Sequence, residues 1–220
     1  MTEVVVAGGT GYIGRVLIER LCAGGFPVKA IARRQSASRV PAGCQAVIGN
    51  VLDATSYQEQ ISAGSTFVHL VGVPHPAPWK GAQFRAIDLV SLQQSVAAAK
   101  RQGVGHFVFM SVAHPAPVMK AYIQVRMECE EIVRQSGLNA TILRPWYVLG
   151  PGHRWPVLLL PVYQLLQLMP ATRESAVRLG LVTREQVIGG LVRAVQSGGN
   201  GVRVLETTEI RASGPQVPAA

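Results

Sequence analysis

The sequence predicts an α/β fold built on a doubly wound parallel sheet, and three observations support this prediction. Short runs of β-branched and other apolar residues recur along the 220-residue chain. Longer stretches with helical spacing of apolar residues separate these runs. A glycine-rich segment follows directly on the first apolar run. Strands without polar alternation, separated by helices, are typical of a parallel sheet that is covered on both faces.

Six strands are predicted before residue 146, because six short apolar runs are bounded by glycine, proline or polar residues. They lie at 3–7, 27–34, 44–50, 65–72, 106–111 and 139–145. The helices between them are predicted at 12–25, 54–62, 82–102 and 118–136. Gly103 closes the third helix and Pro145 ends the sixth strand, as these residue types commonly do.

The alternation changes after Pro145. Residues 146–180 are rich in Pro, Leu and Arg, and they are predicted to form a small helical cap over the carboxyl edge of the sheet. A helix at 183–198 and a strand at 202–206 follow, and residues 211–220 are expected to be a loose tail. A chain of this length can bury one sizeable core, so 1–220 is predicted to form a single domain.

Composition narrows the class of protein. Hydrophobic residues make up 48% of the chain and charged residues only 15%, which argues against disorder. The net charge is +9, but the basic residues are scattered, so we expect a basic surface with an anion-binding pocket and no nucleic-acid interface. Nucleic-acid binding is kept as the weakest alternative. The three cysteines lack metal-ligand spacing, so reduced thiols and no metal site are expected.

Targeting and membrane signals are not evident. Glycines interrupt the first apolar run, so no signal peptide is recognised and the cytoplasm is the expected compartment. The most apolar segment, residues 155–170, is interrupted by Pro161 and is too short to cross a bilayer. It is predicted to form the wall of an apolar substrate pocket. A homodimer face and a weak membrane-surface contact are the alternatives, so the chain is expected to be a monomer or homodimer.

The segment GGTGYIG predicts a site for a dinucleotide. It fits G-x-G-x-x-G through Gly9, Gly11 and Gly14, and G-x-x-G-x-x-G if Gly8 is taken first. One glycine makes a tight turn, the middle one lets the backbone approach a pyrophosphate, and Gly14 allows close packing of helix on strand. The helix N-terminus then offers free N–H groups and the positive end of its dipole to the phosphates.

The residues after the second strand indicate which dinucleotide binds. An NAD site places an acid there, about 20 residues beyond the loop, to bond the ribose 2′-hydroxyl. Here the sequence has Arg33 and Arg34, and the first acid after them is Asp53. Guanidinium groups pair with a 2′-phosphate that an acid would repel. NADP(H) is therefore predicted, with NAD(H) less favoured and Arg33 as the first candidate for the contact.

The chain resembles the short-chain dehydrogenase/reductases, in their atypical, NmrA-like or NAD(P)-binding epimerase-like branch. The segments that carry the resemblance are AGGTGYIGR (7–15), GNVLD (49–53), FVHLVG (67–72) and SGLNATILRPWYVLGPG (136–152). The resemblance implies a Rossmann sheet, an adenine contact at GNVLD, and cofactor contacts along the other segments. In GNVLD, Asn50 stands where the family has aspartate. Besides the glycines and arginines, the implied cofactor contacts are Thr10, Tyr12, Ile13, Asn50, Val51, Val71, Gly72, Pro145 and Val148.

The resemblance also implies an active site. Competent members carry Tyr-x-x-x-Lys on the helix after the fifth strand, and here that position reads YIQVR, with Tyr122 and Arg126. The resemblance implies that Tyr122 is the proton donor, that Arg126 is the partner of the tyrosinate and of the nicotinamide ribose, and that Ser111 anchors the substrate oxygen. Spacing of four residues places Tyr122 and Arg126 on one helix face. Arginine keeps the charge that favours a tyrosinate, but its planar fork differs in shape from an ammonium group.

Two functions remain open at this point. The first is a reductase that moves a hydride between NADPH and a hydrophobic carbonyl or quinone-like small molecule. The alternative is a non-catalytic NADP(H)-binding protein that senses the cofactor or scaffolds a partner, in which Tyr122 only packs at the edge of the cleft. Arg126 in place of lysine favours the alternative.

Several histidines and one arginine are further candidates. His69 lies within an apolar strand, where a core histidine with a satisfied hydrogen bond is the more favoured interpretation. His75 and His114 precede prolines in loops at strand ends, where either can line the pocket. His153 and Arg154 follow the GPG turn and are candidates for contact with an anionic substrate.

Overall fold

The computed structural model describes residues 1–151 and 177–214, and strands are the main feature of this part of the chain. They are β1 (Val4–Ala7), β2 (Val28–Ala32), β3 (Gln45–Ile48), β4 (Thr66–His69), β5 (His106–Met110), β6 (Ala140–Leu143), β7 (Val148–Leu149), β8 (Val182–Thr183) and β9 (Val202–Leu205). Seven of them form one sheet in the order β3-β2-β1-β4-β5-β6-β9, and every pairing in it is parallel. The predicted doubly wound parallel sheet is confirmed.

The sheet reverses its direction of growth between two central strands. The chain passes from β1 outward to β2 and β3, then returns to place β4 on the other side of β1. In this register Ala7 of β1 lies opposite Ile31 on one side and His69 on the other. The loops that follow β1 and β4 therefore diverge, and they leave a crevice at the carboxyl edge, where α/β sheets bind ligands.

Helices cover both faces of the sheet. They are α1 (Tyr12–Ala23), α2 (Val90–Arg101), α3 (Lys120–Gln135), α4 (Arg184–Ser197) and α5 (Thr207–Arg211). Alternate residues of β1 divide between two apolar clusters, with Val5 in the cluster beside α2 and α3, and Val4 and Val6 in the cluster beside α1 and α4. Side chains of a strand alternate between faces, so the two clusters lie on opposite sides of the sheet.

The predicted helix at 54–62 is wrong, because this stretch forms two short 3₁₀ turns, Ala54–Ser56 and Gln58–Gln60. Asp53 accepts a 3.1 Å hydrogen bond from the Thr55 N–H, and the Ser56 hydroxyl donates to the Asp53 carbonyl. Such local side-chain bonds compete with a regular helix.

The predicted helix at 82–102 is continuous but not uniform. It begins with Gly81–Gln83, passes through a π-helical turn at Phe84–Leu89, and continues as α2. A π-helical turn inside an α-helix often marks a functional site. It carries the buried acid Asp88, which accepts a hydrogen bond from Arg126.

The C-terminal part of the described chain returns to the sheet edge. Strands β7 and β8 pair with each other, and Thr183 caps α4 through a reciprocal capping box with Gln186. Most of the predicted cap at 146–180 and the end of the predicted tail fall in 152–176 and 215–220, outside the described residues. Among the described residues, no helix has both the length and the apolar character needed to cross a membrane.

Candidate functional site

The structure brings the predicted cofactor residues to one edge of the sheet. Gly8 follows β1, Arg33 follows β2, Asn50 lies just after β3 and Val71 just after β4. Ser111 follows β5 at the same edge. Since the carboxyl ends of parallel strands share an edge, residues from five separate segments come together in one region.

The glycine loop lies close against neighbouring backbone. Gly8 has a φ of +90°, and a Cβ there would lie 2.9 Å from the carbonyl carbon of Leu70. A Cβ on Gly14 would lie 2.8 Å from the Cα of Gly9 and would overlap the Gly8 carbonyl oxygen. Side chains at Gly8 and Gly14 are therefore excluded, and their absence leaves the loop backbone open to close approach by a ligand.

The first turn of α1 faces this loop with its N–H groups uncapped. Gly11 is the N-cap residue, and among the described residues no side chain accepts a hydrogen bond from this helix end. The first turn contains no acid, so nothing there repels an anion. Uncapped N–H groups at a helix N-terminus bind phosphate oxygens, and this end of α1 suits a dinucleotide.

A cavity of about 370 Å³ borders the same turn, and one of its cations comes from the C-terminal half of the chain. Its lining includes Thr10, Gly11, Arg15 and Arg184. The Arg184 Cζ atom lies 5.1 Å from the centre of the Tyr12 ring. Sequence reasoning missed Arg184, since nothing in its local sequence relates it to a loop more than 160 residues away.

Arg33 and Arg34 leave β2 beside the glycine loop. Arg33 is extended and precedes the 3₁₀ turn Arg34–Arg39, and both arginine side chains are exposed. Within 1–151 and 177–214, neither guanidinium has a hydrogen-bond or ion-pair partner. Both positive charges are therefore available to an anionic group at this edge.

The GNVLD segment forms a tight turn after β3. Asn50 accepts a 3.1 Å hydrogen bond from the Leu52 N–H through Oδ1, and its carbonyl oxygen accepts one of 2.8 Å from the Asp53 N–H. Val51 is half-buried and packs on the core. The side chain of Asn50 thus stabilises the shape of the turn, in the place where the resemblance implies an adenine contact.

Tyr122 and Arg126 lie in contact on the same face of α3. The Arg126 Cζ atom is 5.1 Å from the centre of the Tyr122 ring, and the Phe84 ring centre lies 5.0 Å from the same ring centre. Tyr122 is half-buried, whereas Arg126 is only 5% exposed. The pair therefore consists of a partly accessible hydroxyl-bearing ring and an almost completely buried cation.

A carboxylate compensates the buried charge of Arg126. Arg126 Nη2 donates a 2.7 Å hydrogen bond to Asp88 Oδ1, and the guanidinium also donates to the carbonyl oxygens of Met110 and Val71. Burial raises the pKa of Asp88, and the Arg126 charge opposes that shift. Sequence reasoning missed Asp88, although an acid within the apolar face of the predicted 82–102 helix was a usable signal.

Ser111 takes part in a second buried polar cluster. Its hydroxyl donates a 2.7 Å hydrogen bond to Glu130, which is fully buried and also accepts from Arg134 and Arg144. His114 Nε2 lies 3.3 Å from the same carboxylate. Burial raises the pKa of Glu130, but these hydrogen bonds outweigh it and hold the pKa well below its ordinary value. Sequence reasoning also missed this glutamate.

The remaining candidates occupy different surroundings. His69 is fully buried, with Nδ1 3.0 Å from the Ser95 hydroxyl oxygen, and burial together with Arg126 lowers its pKa to about 3. This neutral state supports the core-histidine interpretation.

His75 lies exposed in the loop after β4. The other predicted contacts are the buried Pro145, whose carbonyl accepts from the Ala113 N–H, and the half-buried Val148. Residues 153–170, with His153, Arg154 and the apolar segment, lie outside the described residues.

The chain is similar to a known NAD(P)H-binding family and to named reductases. A protein-family model described as NAD(P)H-binding matches residues 8–154. The chain is 21% identical over 213 residues to ceramide reductase from Caulobacter vibrioides, covering 96% of this chain and 66% of that protein. It is 30% identical over 159 residues to a chloroplastic divinyl chlorophyllide a 8-vinyl-reductase from Oryza sativa, covering 66% of this chain and 39% of that protein. The chain spans about two fifths to two thirds of the length of these relatives.

Solved structures share the same architecture. A short-chain dehydrogenase/reductase superfamily protein from Agrobacterium tumefaciens with bound NAD gives a TM-score of 0.68 at 18% identity, covering 98% of this chain and 84% of that one. WbmH from Bordetella bronchiseptica, in complex with NAD⁺, gives 0.67 at 21% identity, covering 94% and 76%. Identities this low show a shared fold.

Proposed function

The chain belongs to an NAD(P)H-binding family, and on that premise we propose that it is an NADP(H)-dependent reductase of the short-chain type. Its substrate is a hydrophobic carbonyl or a quinone-like small molecule. One observation carries the proposal: the glycine loop, Arg33 and Arg34, and the Tyr122–Arg126 pair all lie at the carboxyl edge of one sheet. Neither Arg33 nor Arg34 has an ion-pair partner among the described residues. The resemblance to short-chain dehydrogenase/reductases is confirmed at the level of family and fold.

The cofactor is assigned as NADP(H) on grounds of charge. The uncapped end of α1 and the glycine loop would hold the pyrophosphate, and Arg33 and Arg34 would hold the 2′-phosphate. No acid occurs between the glycine loop and these arginines except Glu19, which is exposed on α1. Preference for NADP(H) over NAD(H) therefore rests on two cations placed where an NAD site has an acid.

Tyr122 is the proposed proton donor. NADPH, when bound, would supply a hydride for the carbonyl carbon. Tyr122 would donate its hydroxyl proton to the carbonyl oxygen, which completes reduction of the carbonyl to an alcohol. The positive charge of Arg126 favours the tyrosinate that remains. Arg126 Nε is buried and has no hydrogen-bond partner among the described residues, which leaves one donor for the tyrosinate or a ribose hydroxyl.

Ser111 is proposed to contact the substrate oxygen as an acceptor. Its hydroxyl proton is donated to Glu130, so its lone pairs are left to receive a hydrogen bond. Such a group suits the hydroxyl of the alcohol product or of Tyr122. It would not polarise a carbonyl by donating to it.

The apolar substrate is proposed from two features. The segment 155–170 is almost wholly apolar in sequence. The relative from Caulobacter vibrioides is named for ceramide, which is a lipid, and another relative, from Stigmatella aurantiaca, is named as a ketoreductase of a farnesylated quinoline oxide. Two relatives named for substrates with long hydrocarbon chains support an apolar pocket here.

A non-catalytic NADP(H)-binding protein is the second candidate, and a specific observation favours it. The two terminal nitrogens of Arg126 are already bonded to Asp88 and to backbone carbonyls, so the cation is built into the core as a structural group would be. In this second candidate the cofactor site is retained, and Tyr122 does not transfer a proton.

The two candidates separate in one set of measurements. Cofactor fluorescence would give the affinities for NADPH and NADH, and NADPH consumption would be followed with aliphatic ketones, long-chain aldehydes and quinones. Turnover that falls by about 10² or more in Tyr122→Phe supports the reductase. Tight NADPH binding without turnover for any of these substrates refutes the reductase and favours the second candidate.

A further inference from the structure

The π-helical turn places one acid deep inside the protein. Asp88 lies in the turn Phe84–Leu89 and is 1% exposed. Its Oδ2 accepts a 2.9 Å hydrogen bond from the Val73 N–H, and its Oδ1 accepts one of 2.7 Å from Arg126. Both carboxylate oxygens therefore accept a hydrogen bond, one from the loop that follows β4 and the other from the arginine of α3.

Arg126 extends this connection to the strand ends. Its Nη1 donates to the Met110 carbonyl oxygen at the end of β5, and Nη2 donates to the Val71 carbonyl oxygen after β4. A Cβ on Gly72 would collide with Nη2 and would lie 3.4 Å from Asp88 Oδ1. The guanidinium therefore lies against the backbone of Gly72, and a side chain at that position is excluded by the ion pair.

The same geometry controls the electric field at Tyr122. The Arg126 Cζ atom is 5.1 Å from the Tyr122 ring centre, and the carboxylate of Asp88 accepts a 2.7 Å hydrogen bond from Nη2 of the same guanidinium. A negative charge in contact with a cation cancels part of the field that the cation exerts on a third group. Asp88 thus weakens the effect of Arg126 on the tyrosine while it holds the arginine in place.

In the described part of the chain, the other titratable groups packed near the guanidinium are neutral at pH 7 or are paired elsewhere. Burial lowers the pKa of His69 on β4 to about 3 and raises that of the Cys129 thiol on α3 to about 12, so both are neutral. Glu130 and Glu128 on α3 are paired with arginines, and Lys80 donates to loop carbonyls after β4. Asp88 is the acid that directly contacts Arg126.

We propose that Asp88 is a positioning residue: it fixes the Arg126 guanidinium against the ends of β4 and β5, and it sets how strongly that cation acts on Tyr122. This inference rests on the proposed function, in which Tyr122 gives up a proton. It adds to that function a residue that touches neither substrate nor cofactor and acts through Arg126.

Asp88→Asn tests the proposal because it removes the charge and keeps the size of the side chain. Tyr122 is titrated by the ultraviolet difference absorbance of tyrosinate, and each protein is compared with its own Tyr122→Phe counterpart to remove the other tyrosines. The Tyr122 titration is expected to move to lower pH by about one unit in Asp88→Asn, since the cation is no longer offset. An unchanged titration in a folded Asp88→Asn protein overturns the proposal.

Glu128→Gln provides the matched control. Glu128 is also on α3 and also pairs with an arginine of the 81–101 helical stretch, Arg85, but on the outer surface. It is expected to leave the Tyr122 titration at the wild-type position. An equal shift in Glu128→Gln and Asp88→Asn would show a general charge effect and would overturn a specific role for Asp88.

A second pair of variants covers the case in which Asp88→Asn does not fold. Arg126→Met and the double variant Asp88→Asn/Arg126→Met differ only in the charge of residue 88, and the double variant leaves no buried charge unpaired. Because Asp88 is proposed to act through Arg126, both variants are expected to titrate at the same pH, above that of the wild type. A higher titration in Arg126→Met than in the double variant would show a direct effect of the carboxylate and would overturn the proposal. These titrations need no turnover. Absence of NADPH consumption would refute the reductase alone, and the Tyr122 shift decides the role of Asp88 separately.

Discussion

The hydroxyl of Ser111 donates a 2.7 Å hydrogen bond to Glu130, a carboxylate that is fully buried beneath the end of β5. Arg144 contacts the same carboxylate through two nitrogens, at 2.9 and 2.5 Å. One buried acid therefore links the predicted substrate anchor to the end of β6. It follows that the protonation state of Glu130 affects both stability and the direction in which Ser111 donates.

Glu130→Gln is expected to destabilise the protein and to change its response to acid. Removing one partner of a buried ion pair costs about 3 to 5 kcal/mol, because Arg144 would keep only its ion pair with the more exposed Glu206. The depressed pKa of Glu130 means that its stabilisation is present above the unfolded value near 4.5 and is lost as pH falls below it. Urea unfolding across this range should show a flatter acid limb in the variant.

Glu206→Gln is the control for that experiment. Glu206 also pairs with Arg144, at 2.8 Å, but its side chain is 39% exposed. We expect a loss of about 1 kcal/mol or less. A loss as large as that of Glu130→Gln would mean that the buried position of Glu130 is unimportant.

Two buried histidines predict a loss of stability in mild acid. Burial lowers the pKa of His69 to about 3 and that of His106 to about 4, from the ordinary value of 6.5. The unfolded chain binds protons first, so the free energy of unfolding is expected to fall as pH drops below 6.5 towards these values. His69→Asn should reduce this slope, measured by chemical unfolding at several pH values. The exposed His75→Asn should leave the slope as in the wild type, and an unchanged slope in His69→Asn contradicts the assignment.

Cofactor preference is expected to depend on Arg33. Arg33→Ala should weaken NADPH binding by about tenfold or more, equivalent to about 1.4 kcal/mol, and should leave NADH binding nearly unchanged. Fluorescence titration with both cofactors measures the ratio. Arg39→Ala is the matched control, since Arg39 is exposed at the far end of the same 3₁₀ turn. Wild-type protein that binds NADH more tightly than NADPH would refute the role given to Arg33 and Arg34.

Gly14→Ala is expected to abolish cofactor binding and to destabilise α1. The added methyl group would overlap the Gly8 carbonyl oxygen and would lie 2.8 Å from the Gly9 Cα, both parts of the backbone, so relief requires movement of the loop. Gly24→Ala, at the other end of α1, meets its nearest atom at 3.4 Å and has a φ of −80°. It should bind NADPH normally, and equal losses in both variants would argue against a specific cradle.

Local sequence patterns predicted the sheet and the glycine loop because their physical causes are local. Apolar runs specify strands such as β1, and a glycine at 14 is required by packing within seven residues of the chain. The 3₁₀ turn after Asp53 was also encoded locally, in an Asp and Ser pattern that competes with helix. The predicted helix there gave too little weight to those side chains.

The charged interior was not predictable in the same way. Asp88 and Arg126 are 38 residues apart, and Glu130 has partners on two other segments, the loop after β5 and the end of β6. A sequence pattern identifies Tyr122 and Arg126 as neighbours on one helix, but it does not show which side chains neutralise the cation. Only the tertiary packing shows that the guanidinium is bonded to the strand ends beside the glycine loop.

Arg126→Lys decides whether the cation site is adapted to arginine or is a lysine site that has lost its function. The guanidinium bonds at once to Asp88, to the Met110 carbonyl and to the Val71 carbonyl, through two nitrogens that a single ammonium cannot replace. We therefore expect Arg126→Lys to lower the free energy of unfolding by about 2 kcal/mol and to reduce NADPH turnover. Thermal unfolding and NADPH consumption measure the two effects. A variant that gains turnover instead would show that lysine is the competent residue, and the wild-type chain would then fit the non-catalytic NADP(H)-binding protein better than the reductase.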